Sequence, residues 1–196
     1  MGQLSTYRKD SVVITAIEII SEVGIRGLTS KEIAKREGIS EGTLFSHYKN
    51  MDEIIMAVLD YYSELDASII ETIEMKNLIP TEALKLYISI YAENYGNYPE
   101  ITSLINISQM LTLEKHLADK ANIIENYRIS YIKLLINKAQ SSGLLNPNID
   151  GNVLSDLVVG SLIFIIYKWR KCSYDFALKA YLLTALEAIL DSFTVY

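Results

Sequence analysis

One cysteine, two histidines, three prolines and no surplus of positive charge set the bounds on this 196-residue sequence. The lone Cys172 excludes an internal disulfide framework and fits a reducing compartment. His47 and His116 stand far apart, and His116 has no second histidine, cysteine or carboxylate cluster at ligand spacing, so it reads as a surface residue and no metal site is expected. No Ser/His/Asp, Cys/His or phosphate-loop pattern is present, so an enzyme and a bound cofactor are not expected either. The N-terminal MGQLSTYRKDS has no apolar core of the signal-peptide type. The longest strongly apolar stretch runs from Leu157 to Tyr167 between Asp156 and Lys168, well short of the about 20 residues that cross a bilayer. A cytoplasmic chain without a membrane partner is the expectation.

The net charge is −6, and its distribution matters. Residues 1–56 hold seven basic against eight acidic side chains, and residues 57–196 hold eleven against sixteen. A polyanion would find no general basic field here. Contact with one would have to come from a few placed basic and polar groups and from helix N-termini.

What the sequence has in quantity is apolar material, half of all residues, arranged at helical spacing. There is no strand-like alternation, internal repeat or low-complexity segment. The pattern predicts helices over about 7–24, 30–37, 41–47, 51–75, 80–95, 99–112, 114–142, 150–171 and 174–192. Val13, Ala16, Ile17, Ile20 and Val23 form the core face of the first. Thr29 with Glu32 reads as a reciprocal capping box for the second, Ser40 caps the third, and Asn50 with Glu53 caps the fourth. Ile54, Val58, Tyr62, Leu65 and Ile69 then continue one stripe, so a long helix is expected to be shared between a small N-terminal unit and a larger one, as a lever.

Residues 28–49, LTSKEIAKREGISEGTLFSHYK, place two short helices around Gly38-Ile39, a helix-turn-helix packed by Leu28, Ile33, Ala34, Ile39 and Leu44. The second of them turns Glu41, Gly42, Thr43, Phe45, Ser46 and His47 outward at its start, the end with which such a helix meets base edges. The run from Gly24 through Leu28-Thr29, Glu32-Ile33-Ala34, Gly38-Ile39-Ser40-Glu41-Gly42-Thr43-Leu44, His47-Tyr48-Lys49 and Asp52-Glu53-Ile54-Ile55 resembles the DNA-binding domain of TetR-family repressors. The remainder resembles that family in length and helical layout.

The resemblance implies an all-α fold: a three-helix DNA-binding domain, residues 1–52, joined to a helical ligand-binding and dimerisation domain, residues 53–196. It implies a homodimer on double-stranded operator DNA, expected to act as a repressor that a small molecule releases. It further implies that Thr43 and His47 approach bases or nearby phosphates. Phe45, Tyr48 and Lys49 brace the DNA backbone, and Thr29 and Ser30 at the start of the preceding helix take another phosphate. Two positions depart from the family pattern: Phe45 stands where a tyrosine is usual and Met51 where a lysine is usual, which predicts weaker non-specific affinity.

Fourteen tyrosines against four phenylalanines suggest a pocket with apolar walls and polar tips. Among Tyr61, Tyr62, Tyr87, Tyr91, Tyr95, Tyr127, Tyr131 and Tyr167, the chosen wall residues are Tyr62, Tyr91, Tyr95, Tyr127, Tyr131 and Tyr167, with Met110 as an adaptable neighbour. Each alone reads as core or surface ahead of a ligand contact. Cys172 beside Lys168, Arg170 and Lys171 reads as an ordinary cysteine ahead of a reactive one.

The last two helices carry broad apolar faces, from which Leu157, Ser161, Leu162, Ile165, Leu178, Leu182, Leu186 and Ile189 are the candidate dimer interface. The competing readings are a monomer in which the pair bury each other, an enzyme in the helical core, and a helical module that no longer binds DNA.

Overall fold

The computed structural model describes residues 2–194, with side chains from Lys9 onward. Helix α1 (Gly2–Val23) is followed by a 3-10 turn (Ile25–Gly27), α2 (Ser30–Glu37), α3 (Glu41–His47) and α4 (Met51–Ser63). Helices α5 (Asp66–Met75) and α6 (Pro80–Asn97) lead to two 3-10 turns (Pro99–Leu104 and Ile107–Gln109), and α7 (Lys115–Ser141), α8 (Gly151–Lys171) and α9 (Leu178–Ser192) complete the chain. Among the described residues the only β-type pairing is an isolated bridge between Leu145 and Thr194. The architecture is all-α, as the periodicity predicts.

The chain forms two compact units: residues 1–64 with 100–124, and residues 65–99 with 125–196. The expected division at residue 52 falls at the start of α4, inside the first unit. That unit packs α1 on α2 and α4, and α2 on α3. Its core includes Val12, Val13, Ala16, Ile17, Ile19 and Ile20 of α1, with Ile33, Leu44, Ile54, Val58 and Leu59. Val23, expected on the core face of α1, is 60% exposed, because the chain leaves the helix at Gly24 with φ 77°.

Helix α1 starts five residues before the expected position 7, and three later helices differ from the sequence expectation, each for a local reason. The expected helix over 51–75 is two helices. The apolar stripe continues through Asp66, which is buried, and not through Leu65, which is 53% exposed; residues 64 and 65 turn between α4 and α5. The lever assigned to that segment is therefore interrupted. The helix with residues in both units is α7, which gives 115–124 to the first and 125–141 to the second.

The expected helix over 99–112 is two 3-10 turns separated by Asn106, whose φ of 62° is left-handed. Thr102 and Ser108 are buried there, residue types whose hydroxyls compete with the helical ladder. The last helix starts at Leu178 and not at 174. Ser173 and Tyr174 have φ of 52° and 65°, Tyr174 N–H closes on Trp169 O at 2.9 Å, and Trp169 Nε1 donates to Phe176 O at 2.9 Å.

The second unit packs α9 on α6 and α8, and α5 on α6. Helix α8, 21 residues long, has the length and composition to cross a bilayer, so the short apolar run alone did not settle that question. Its Leu154, Val158, Leu162, Ile165, Ile166 and Trp169 are instead buried in the protein.

Candidate nucleic-acid interface and effector site

Three local devices build the helix-turn-helix. Thr29 Oγ1 accepts the Glu32 N–H at 3.2 Å and starts α2. The Glu32 carboxylate does not serve Thr29 in return as a capping box would; it accepts from Arg36 Nε at 2.9 Å. Arg36 also donates to both Glu22 oxygens, at 3.0 and 2.7 Å. These hydrogen bonds hold both carboxyls below the usual range and push the guanidinium further up. A charge-assisted fork is the stronger competitor for that carboxylate.

Gly38 then ends α2 at φ 65°, a conformation that would strain a side chain, and Ile39 N–H reaches Ala34 O at 3.0 Å. Ser40 caps α3, its Oγ accepting the Thr43 N–H at 3.0 Å.

Helix α3 buries Leu44 completely and faces outward with the rest. Truncating Leu44 to alanine would cost about 2–5 kcal/mol. Glu41, Gly42, Phe45 and Ser46 are exposed, while Thr43 and His47, one turn apart, are half-buried. A Cβ added at Gly42 would meet only Ser40 Oγ, at 3.6 Å, an ordinary contact. Nothing inside the chain requires glycine there, although glycine weakens a helix by about 1 kcal/mol.

Ser30 donates its hydroxyl to the Glu41 carboxylate, tying the starts of α2 and α3 together. Ser46 donates to Thr43 O at 2.6 Å. Lys49 is exposed; its N–H bonds Glu53 Oε2 at 2.8 Å and its Nζ lies 3.3 Å from Glu53 Oε1. Met51 is half-buried.

Tyr48 is a correction. Expected to brace a DNA backbone, it is 5% exposed and donates its phenol to Lys9 O in α1 at 3.0 Å. Burial, with Asp10 nearby, pushes the phenol up to about 12. It positions the end of α3 against α1 and has no hydroxyl to offer outside.

In the second unit the tyrosines gather around an ion pair that the sequence reading did not name. Arg128 grips Asp66 with Nε at 2.9 Å from Oδ2 and Nη2 at 2.9 Å from Oδ1, their side chains 13% and 6% exposed. Tyr91 donates to Asp66 Oδ1 at 2.6 Å, with the Arg128 guanidinium 5.2 Å from its ring centre. Tyr87 sits between Tyr91 and Tyr131, at centroid distances of 4.8 and 5.1 Å, and Tyr95 follows at 6.0 Å from Tyr91. Burial raises the phenols of Tyr87, Tyr91 and Tyr131, so all three remain donors at neutral pH.

Of the seven expected wall residues, the structure brings Tyr91, Tyr95 and Tyr131 together. Tyr62 is buried in the first unit, and Met110, Tyr127 and Tyr167 are exposed at 49%, 46% and 59%, which corrects their assignment as walls. The signal for the missed pair was present: Asp66 is the charged residue that falls on the buried stripe between Tyr62 and Ile69.

The expected interface is also redistributed. Leu162, Ile165, Leu178, Leu182 and Leu186 are buried within the chain itself, where α8 packs on α9 and α9 on α6. Ser161 and Ile189 are half-buried, and Leu157 is exposed. The apolar residues that α8 leaves outside are Val153, Leu157, Phe164 and Tyr167, 50–64% exposed, and with exposed Gly160 they form a single stripe at intervals of four and three.

Residues 13–58, the helix-turn-helix with its flanking helices, match the family model of bacterial regulatory proteins of the tetR family. Residues 13–58 thus carry a DNA-binding domain of the tetR type. The tetracycline repressor protein class C of Escherichia coli is 30% identical over 57 residues, 29% of this chain and 26% of that protein. The first curated relatives are each matched over only 26–35% of their length.

The fold extends over the whole chain. The MbdR regulator from Azoarcus sp. CIB superposes with a TM-score of 0.84 at 19% identity, covering 97% of this chain and all of that one. FadR from Bacillus subtilis, solved in complex with stearoyl-CoA, gives 0.71 at 21% identity over 92% of this chain and 97% of that one. The shared fold thus extends beyond the N-terminal helices to the helical body.

Proposed function

We propose that this chain is a homodimeric, cytoplasmic repressor of the TetR family that reads an operator with α3 and leaves it when a small molecule binds the second unit. The observation that carries the DNA reading is the start of α3. Thr43 and His47 share one face, and Gly42 is open to close approach without serving any internal packing. Lys49 stands just past the helix as a flexible cation, while Thr29, Ser30, Ser40, Glu41, Phe45 and Ser46 frame the same surface. Because Arg36 is engaged by Glu22 and Glu32, little positive charge is left for non-specific attraction.

The homodimer reading is supported by the α8 stripe Val153, Leu157, Gly160, Phe164 and Tyr167, whose spacing is that of a helix seam. A second copy related by twofold symmetry would pair this face with itself and present two α3 helices to one palindrome.

The effector reading is supported by the tyrosine cluster around Asp66 and Arg128, which joins apolar faces to a buried cation and to an anion that a ligand carboxylate or phosphate can replace. Long-chain acyl-CoA is the first class to try. A Bacillus subtilis fatty acid metabolism regulator protein matches over 92% of both chains at 19% identity, and the FadR structure holds stearoyl-CoA. A ligand releases the DNA only if it binds the DNA-free geometry more tightly. Gel retardation of promoter fragments, with and without stearoyl-CoA, tests both halves: a retarded band that the acyl-CoA dissolves is expected. A chain that retards no duplex would be a helical module without DNA function.

A further inference from the structure

We propose that Asp52, Glu114 and His116 form a binding site for a divalent transition-metal ion in the first unit. Each residue offers one ligand atom, and these atoms all lie within 4.8 Å of one another. Sequence gave no hint of this, because 61 positions separate Asp52 from the next ligand, Glu114. The fold brings them together by placing the first turn of α4 beside the first turn of α7. His116 Nε2 already lies 3.0 Å from Asp52 Oδ2. About two turns further along α4 and one turn further along α7, Asp60 and Lys120 form a second ion pair between the two helices.

The donor set decides the class of ion. One imidazole nitrogen with two carboxylate oxygens on one side of an ion, and solvent on the other, is the arrangement of a three-ligand site with open positions. Imidazole suits zinc, copper, iron and nickel, whereas magnesium, calcium and manganese favour oxygen. Two ligands on one such ion lie about 3–3.5 Å apart, given bond lengths near 2.0–2.2 Å. Closing the site therefore takes side-chain rotation. Glu114 and His116 are exposed and Asp52 is 43% exposed, so the rotation meets no packed neighbour and the carboxylates lose little hydration.

The consequence is mechanical. Met51, where α4 begins, follows the end of α3 by only four residues, and α7 continues into the second unit. A metal here would pin the helix that follows α3 to the start of the helix that both units share. The site does not depend on the DNA reading and is tested without DNA.

The test uses the full chain in a Cys172→Ser background, which removes the exposed thiol as a competing ligand. Chelator-treated protein is titrated with Co²⁺ by absorbance and with Zn²⁺ by calorimetry. The expected result is one ion per chain, with cobalt ligand-field bands and no thiolate charge transfer. Affinity should fall about tenfold or more in His116→Ala and in Asp52→Asn, and stay unchanged in Lys115→Ala. Glu114→Gln, a change at an exposed side chain, should show the same loss should His116→Ala fold poorly. Absence of stoichiometric binding for both ions, or binding that survives His116→Ala and Glu114→Gln, would overturn the proposal.

Discussion

Arg128 on α7 holds the Asp66 carboxylate at the first position of α5 through two nitrogens, each 2.9 Å from an oxygen, 62 residues away in the chain. Tyr91 on α6 adds a third donor, so three helices of the second unit meet at one carboxylate. The chain passes from the first unit to the second one residue before Asp66. This pair therefore anchors the point where the long helix expected from the apolar pattern is instead divided.

Removing one partner should be worse than removing both. Arg128→Met leaves a buried, unpaired carboxylate and should cost about 3–5 kcal/mol in urea unfolding. Adding Asp66→Asn in the same chain should recover a substantial part of that loss. If the double variant is no more stable than Arg128→Met alone, the pair is not the organising contact described here.

Tyr48→Phe separates a positioning role from a DNA contact. The hydroxyl serves Lys9 O inside the first unit, so the variant should lose about 1 kcal/mol of stability. The salt dependence of DNA binding should be unchanged. A salt slope shallower by about one would mean that the phenol reaches a phosphate after all.

Much of this was legible in the sequence, and the boundary is physical. The bounds of α2 and α3 agree with the expectation residue for residue because Thr29, Gly38, Ser40 and Asn50 act locally, through their own backbone neighbourhoods. What could not be read depends on tertiary partners. Nothing near Asp66 in sequence announces Arg128, and nothing near Tyr48 announces Lys9 O. The apolar faces of α8 and α9 were visible, yet periodicity cannot divide one wide face between a neighbour in the same chain and solvent. Leu182 and Leu186 went to the first, Phe164 and Tyr167 to the second. The tyrosine count was equally blind to location: Tyr91 and Tyr131 joined one cluster, while Tyr127, four residues before Tyr131, stayed outside.

Glu53 makes a pH prediction with a definite sign. The Lys49 backbone N–H, followed by the Lys49 ammonium, holds its carboxyl below the usual range. A lowered folded value means that the contribution is fully present above the ordinary glutamate value of about 4.3 and is lost as pH falls through the folded value. The stability advantage of the native chain over Glu53→Gln should be constant between pH 6 and 7 and disappear toward pH 3. An advantage that grows on acidification would contradict the assignment.

The exposed stripe of α8 and the buried face of α9 should respond differently to charge. Phe164→Lys, on the exposed stripe, should give a folded monomer in sedimentation, with helical content intact. Leu182→Lys, in the chain's own core, should give misfolded or insoluble protein. A Phe164→Lys chain that still sediments as a dimer would place the interface elsewhere.

How α3 divides its labour decides the DNA reading, and fluorescence anisotropy on operator and scrambled duplexes at several salt concentrations measures it. His47→Ala and Thr43→Ala should each cost about 1–3 kcal/mol on the operator and much less on scrambled DNA. Lys49→Ala should weaken both duplexes alike and make the salt slope shallower by about one, while Met51→Lys should tighten both. Equal losses on both duplexes for His47→Ala and Lys49→Ala would contradict the reading of α3 as the element that recognises sequence.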